Sequence, residues 1–403
     1  MTNQSYKVYG LGGTFFAQNE RTGIIDITDS DFFNVLQYAV NNTTGGTVRV
    51  LWDNYTLDQQ INIPSNVTLE INGYITLANN YNGHMLAISQ GASNIKIFGN
   101  CTLDGNKSNQ NPPNPVACIY VDAGSSNIKI HGITCVNSHN WSINFAGNNS
   151  VISDCIFGNC NNGFIFATST SYNNTIRNCT VYGVPNDWGI MAYGGAYNIK
   201  ILSCTSYNII GGSGIGVLSD QWRTSPCHDI LIDDCISYNN TGSGVSSWAI
   251  SGHHYNIKIS NCNSYKNNTS NGWAGNGGYS VVLSDNVILT GNISHENGNG
   301  SNGSCGYYIQ DCNHVSCYSN KTFNEGIGSN NNGSGFLLYN LNKSVVIQGN
   351  EIYDNQTTRT MNIGINALNN MTDCSAIYNY ISTNIPYPVY QTSYFTNTVG
   401  NIA

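Results

Sequence analysis

The stretch Asn198-Ile-Lys-Ile-Leu-Ser-Cys204, followed a short way on by Gly214-Ile-Gly-Val217, decides the fold. In its first half isoleucine alternates with lysine, the period-two pattern of a strand with one buried face. The opening phrase returns as Asn94-Ile-Lys-Ile, Asn127-Ile-Lys-Ile and Asn256-Ile-Lys-Ile. Looser copies begin near Asn66, Asn149, Asn174, Asp229, Asn286, Asn313 and Asn342. The period, roughly 22 to 33 residues, lies in the range that marks solenoids. In the copy at Asn94, Ile95 and Ile97 point inward and Lys96 points out.

Several copies continue to a cysteine in one slot, Cys155, Cys179, Cys204, Cys235 and Cys262, and Asn292 takes that slot one coil later. A second strand follows a glycine: Gly163-Phe-Ile-Phe, Gly189-Ile-Met-Ala, Gly214-Ile-Gly-Val, Gly306-Tyr-Tyr-Ile and Gly335-Phe-Leu-Leu. One coil is then strand, turn, strand, turn. Equivalent strands of successive coils pair in parallel, and such crossovers are almost always right-handed. The fold class that follows is all-β, a single-stranded right-handed parallel β-helix of about eleven coils.

The ends of such a stack expose unpaired strand edges and need covering. Asp31 to Asn41 reads as a short helix that lids the first coil, with Phe32, Leu36 and Ala39 or Val40 on one face. Ser30 is the expected N-cap, and Gly45-Gly46 stand beyond the end. The expected division is an N-terminal arm with capping helix and first strands over 1–62, the β-helix over 63–381 and a C-terminal cap or tail over 382–403.

The run Phe33-Asn-Val-Leu-Gln-Tyr-Ala-Val, then Gly45-Gly-Thr-Val-Arg-Val, Tyr55-Thr-Leu, Ile63-Pro-Ser-Asn-Val-Thr-Leu and Cys101-Thr-Leu-Asp-Gly-Asn resembles the opening of pectin-lyase-like β-helix proteins. The resemblance covers most of the chain as a repeat pattern. It implies the fold, and a function drawn from polysaccharide lyases, glycoside hydrolases, epimerases and viral tailspikes. Trimers are common among the spikes it resembles, so a homotrimer is the oligomer it implies.

Composition narrows the partners. Of 403 residues only 9% are charged, against 40% hydrophobic. Solubility therefore rests on Asn, Ser, Thr, Gly and 26 Tyr. A net charge of −8 with 14 Lys plus Arg leaves no basic stripe to neutralise phosphates, so nucleic acid is not an expected partner. No apolar run is long enough to span a bilayer, and the first residues lack a basic and an apolar region of a signal peptide. The expected place of action is the extracellular space or a virion surface. Sequons recur, among them Asn54, Asn66, Asn140, Asn239, Asn292 and Asn370.

The cysteines of the repeated slot are expected to stack inside as small apolar groups. No CxxC occurs, and no metal or other cofactor is expected. Disulfides among Cys118, Cys227, Cys305, Cys312, Cys317 and Cys374 are left open. The pair Asp233-Asp234 is similar to the double aspartate of polygalacturonase-like hydrolases, whose Gly-His-Gly and Arg-Ile-Lys are absent here. Its repeat slot holds Asp154, Asn178, Ser203 or Asn261 in other coils, which marks a turn. Asp285 and Asp311 are assigned to turns in the same way.

The strands after glycine offer the functional surface. Counted from each glycine, one outward row holds Ala167, Tyr193, Leu218, Trp248, Val282, Gln310 and Tyr339, with Met191 and Tyr308 beside it. The least regular loops follow these strands: Ser219 to His228, Ser251 to Tyr255 and Asn271 to Asn276. Four of the six Trp, counting Trp188, gather there. Aromatic faces over polar groups suit a sugar-binding groove. The expected substrate-binding residues are Tyr193, Trp222, Trp248, His254, Tyr308, Gln310 and Tyr339, and the candidate catalytic residues are Asp220, Arg223 and His253. Asp187 and Asp220 in extended strands would stand roughly 25 Å apart, too far for a hydrolase pair. The expected function is a glycan-recognising surface protein of tailspike or adhesin type, binding a polysaccharide or cell-surface glycan. The alternative is a polysaccharide lyase or glycoside hydrolase.

Overall fold

The computed structural model describes residues 4–43, 45–112, 115–268, 277–298, 304–326, 333–390, 393 and 395–401. It is an all-β parallel solenoid of about eleven turns with one α-helix near the N-terminus. The chain falls into two compact units, Met1–Pro185 and Asn186–Ala403.

In the first unit, three antiparallel strands, Gln4–Leu11, Thr14–Asn19 and Ile25–Asp29, precede the helix. The first of them pairs in parallel with Gly45–Val50 and so starts the coil sheet. The helix spans Phe32–Asn42 and buries Phe32, Val35, Leu36, Ala39 and Val40. Its N-cap is Asp31, whose carboxylate accepts from the Phe33 N–H at 2.9 Å, and not Ser30. The cap thus falls one residue later than the sequence suggested, immediately before the first buried aromatic. Phe32 stacks on Tyr55 with centroids 4.1 Å apart, which fixes the helix over the first coils.

Each regular coil carries three strands where the sequence suggested two. In the second unit the set is Tyr197–Leu202, Thr205–Tyr207 and Ile215–Ser219, repeated as His228–Asp233, Ile236–Tyr238 and Val245–Ala249. A backbone corner at positive φ breaks the run before each ladder cysteine. Its residue is Asp154, Asn178, Ser203, Asp234 or Asn261, with φ of 57°, 53°, 50°, 55° and 55°. Asn and Asp tolerate this region best. The slot therefore serves a turn, as its composition indicated, and Asp233 and Asp234 spend their carboxylates on Ser260 and Ser203 hydroxyls at 2.6 and 2.8 Å.

Register is kept slot for slot. Ile199 aligns with Ile230, then Ile257, Val287, Val315 and Val345, all buried. All fourteen cysteines are buried free thiols, which resolves the disulfide question. Cys204 N–H donates to Cys235 Sγ at 3.5 Å, and Cys235 N–H to Cys262 Sγ at 3.4 Å. From there asparagine takes over: Cys262 N–H donates to Asn292 Oδ1 at 3.0 Å, and Asn292, Asn320 and Asn350 each donate onward to Asn320, Asn350 and Asn379. The sequon asparagine Asn292 is fully buried in this column and out of reach of glycosylation once folded.

A second interior column runs Asn240, Asn267, Asn297 and ends on Glu325, whose Oε2 accepts from the Asn297 N–H at 2.8 Å. Outside the same coils Tyr207, Tyr238, Tyr265, His295, Phe323 and Tyr353 stack face to face at 4.8 to 5.1 Å. Beyond Ser382, Tyr387–Tyr390 adds one more parallel strand, on Met361–Leu368. Among the described residues no helix is long and apolar enough to cross a membrane, and no cluster of three metal-ligating side chains occurs.

Candidate functional site

The outward row on the third strands has the register that alternation required: Tyr193 aligns with Leu218, Trp248, Val282, Gln310 and Tyr339 in turn. Outward does not mean exposed along its whole length. Tyr339 is exposed and Tyr193 and Trp248 are half-buried, whereas Val282 is buried. In the neighbouring row Met191, Tyr308 and Leu337 are buried as well. Tyr308, expected on the binding surface, is therefore enclosed. It belongs to an apolar cluster with Val282, Cys305 and Leu337, against which Trp248 packs. Alternation fixes which face a side chain leaves from, and a second layer of apolar contacts on that face removes the water.

His254, also expected on that surface, is enclosed too. It is fully buried, its Nδ1 accepts from the Cys227 N–H at 2.9 Å and its Nε2 lies 3.1 Å from the Trp248 carbonyl. Burial pushes its pKa down to about 4, so it is a neutral strut that ties one loop to the strand bearing Trp248. His253 pairs with Asp285 at 2.8 Å, and Asp285 also accepts from Asn313 at 2.8 Å. Gln310 joins Tyr308 to Asp311 through contacts of 2.5 and 2.9 Å. The loop Asn271 to Asn276 lies outside the described residues.

Of the remaining candidates, Trp248 and Asp220 line one cavity of about 240 Å³ in the second unit. Tyr193, Trp222 and Arg223 are tied to Asp220 beside it, and His253, Gln310 and Tyr339 are not part of its lining. Its lining comes from three successive coils and includes Asp187, Trp188, Leu218, Asp220, Trp248 and the backbone of Gly211 to Ser213. Asp220 Oδ1 accepts from the Tyr193 hydroxyl at 2.8 Å and from the Trp222 and Arg223 N–H groups at 2.8 and 3.0 Å. The turn so closed leaves the Trp222 side chain 78% exposed, outside the lining. Arg223 lays its aliphatic stem across Gly194, where a methyl group would meet it at 2.7 Å. Its side chain is exposed and is not part of the lining.

Two further lining residues, Trp188 and Asp187, were named from sequence but not assigned to the site. Trp188 rests on a glycine shelf: a Cβ on Gly212 would stand 2.4 Å from its Cδ1, and one on Gly216 2.8 Å from its Cζ3. Asp187 accepts from the Trp188 N–H at 2.8 Å. Burial, with the Asp220 charge adding to it, pushes the Asp187 carboxyl up to about 6. The expected separation of Asp187 and Asp220 thus fails. Asp187 precedes its strand in a loop that folds over the next coil, so the rise of an extended strand does not apply to it.

The site therefore presents two indole rings, two carboxyl groups in different environments and a phenol. Burial and the neighbouring Asp220 hold the Tyr193 phenol well above its ordinary value, so it is a donor and not a base.

No family model matches this chain, and no curated protein matches it. Solved structures do. The A-module of mannuronan C-5 epimerase AlgE4 from Azotobacter vinelandii aligns with a TM-score of 0.65 at 18% identity, covering 92% of this chain and 96% of that one. The catalytic unit of a GH87 α-1,3-glucanase from Streptomyces thermodiastaticus aligns with a TM-score of 0.55 at 13% identity, covering 93% and 66%. Tailspike protein 3 of bacteriophage CBA120 gives 0.54 at 12%, covering 93% and 59%. The likeness shows the fold, a right-handed parallel β-helix. Within this β-helix the cavity lies on the face of the third strands, and its walls are loops that join coil to coil.

Proposed function

We propose that this β-helix recognises a glycan at the cavity between Trp188 and Trp248, as a surface protein acting outside the cell or on a virion. The observation that carries the reading is the joint presence of two indoles and two carboxyl groups around one opening. Indole faces take the C–H face of a sugar ring, and carboxylates accept from its hydroxyls. The cavity is below the range of about 300–1,000 Å³ usual for drug-sized ligands, a size for one sugar residue of a longer chain. Neighbours that are a tailspike, an epimerase module and a glucanase fit this reading.

A second reading, glycoside hydrolysis, is favoured by one observation. Asp187, raised to about 6, and Asp220, held by three donors, are two carboxyl groups whose surroundings differ. Such a pair divides into acid and base. Asp187 would give its proton to the glycosidic oxygen while Asp220 takes one from the attacking water. A lyase is less well served, since arginine is not deprotonated in proteins and Tyr193 keeps its proton.

Titration against a polysaccharide panel tests both readings. Trp188→Ala and Trp248→Ala should each weaken binding by about 1–3 kcal/mol. Trp248→Ala should also lower the melting temperature, because that ring packs on the outer apolar cluster. Unchanged binding in both variants removes the site. New reducing ends that vanish in Asp187→Asn while binding persists select hydrolysis over recognition alone.

A further inference from the structure

Resting on that reading of the cavity, we propose that the sugar residue it seats is uncharged, a neutral hexose or an N-acetylhexosamine, and that uronic and other acidic residues are excluded. Among the described residues, Asp187 and Asp220 are the ionisable groups lining the cavity, and both are acids. No lysine, arginine or histidine faces them from the lining. Arg223 lies outside the lining with an exposed side chain; it gives its backbone N–H to Asp220, and its charge acts on the Tyr193 phenol that donates to Asp220. Charge exposed in this way is screened and offers little to a buried ligand carboxylate.

The two carboxyl groups already feel each other, since the Asp220 charge helps raise Asp187. A third carboxylate between the indoles would meet the same repulsion without a counter-ion, in a site of reduced dielectric. A neutral sugar meets none. Its hydroxyls, or an acetamide N–H, donate to oxygens that in the ionised form only accept. Its C–H faces remain free for Trp188 and Trp248. The net charge of −8 on the whole chain adds a weaker, longer-ranged bias in the same direction.

The test uses the full chain and an immobilised panel of neutral glucans, mannans, galactans and N-acetylhexosamine polymers beside polyuronates. The best binder is then compared with the same polymer after oxidation of its primary alcohols to carboxylates. Binders should fall among the uncharged polymers, and oxidation should weaken binding at pH 7 by at least about tenfold. Asp187→Asn combined with Asp220→Asn, with folding checked by melting, should narrow that difference to within about threefold. A polyuronate or oxidised polymer bound as tightly as its neutral counterpart overturns the charge selection. If that binding is still lost in Trp188→Ala, the site itself stands. Discrimination unchanged in the double variant overturns the proposal too, since the bias would then come from the net charge. A folded protein that binds no polymer of the panel overturns the glycan site on which the inference rests.

Discussion

Gly212 shows how much of the site depends on a missing side chain. Its φ is not in the left-handed region, so alanine fits the backbone there, and the three atoms a Cβ would meet first all belong to the Trp188 ring. Gly212→Ala should therefore push the indole off its shelf without otherwise disturbing the coil. Glycan binding should fall as far as in Trp188→Ala. The melting temperature should fall by no more than about ten degrees, because overpacking costs about 1–3 kcal/mol and the ring it meets lines an open cavity. Calorimetric titration beside melting curves checks this, and full binding in the variant would mean that Trp188 does not contact the sugar. At Gly216 the same change would strike the Ser246 carbonyl at 2.2 Å, so that position makes a poor probe.

At the scale of the element, the cysteine and asparagine columns carry a chemical prediction. Burial pushes the thiols of Cys227 and Cys312 up to about 12, and that of Cys101 as well. A protonated, enclosed thiol is inert. Alkylation without reductant should leave the native protein almost unlabelled and the unfolded protein labelled at all fourteen cysteines, by mass spectrometry. Any shortfall in the unfolded state would reveal a disulfide. These columns were legible in sequence because one slot, read coil after coil, repeats its residue type. The lysine-bearing strands and the strands after glycine were legible for the same reason. The short strands such as Thr205–Tyr207 were not, because three residues after a corner make no period of their own. The cavity was half legible. Tyr193 and Trp248 follow from strand register and Asp220 from the loop that directly follows such a strand, whereas Asp187 and Trp188 depend on how a loop folds across the next coil. The burial of His254 and Tyr308 was not legible, because burial on the outer face is decided by what packs there, which alternation does not record.

For the molecule as a whole, one interior carboxyl should set much of the pH response. Glu325 is fully buried, accepts from Ser294, Thr322 and Asn297 at 2.6, 3.0 and 2.8 Å, and is pushed by burial from 4.5 up to about 7. A carboxyl raised in the folded state binds its proton more tightly there than in the unfolded chain. Stability from this group is then complete below about 4.5 and is lost as the pH climbs to about 7. Asp187 acts in the same sense up to about 6, and His254, pushed down to about 4, acts in the opposite sense. Comparison with Glu325→Gln cancels both. Between pH 5 and pH 8 the wild type should lose on the order of a few kcal/mol relative to that variant in denaturant titrations. Parallel pH curves would show that Glu325 titrates alike in the folded and unfolded states and that burial does not raise it. The column that Glu325 closes also bears on ancestry. Asn240, Asn267 and Asn297 recur at steps of 27 and 30 residues, each filling the place of the last. A duplicated coil inserted at any of these steps would find its hydrogen bonds and its stacked ring waiting, so the chain can lengthen by copying. The cavity cannot arise that way, since its walls are loops of three unlike coils. The scaffold is thus heritable in units, while the site had to be acquired by divergence between copies.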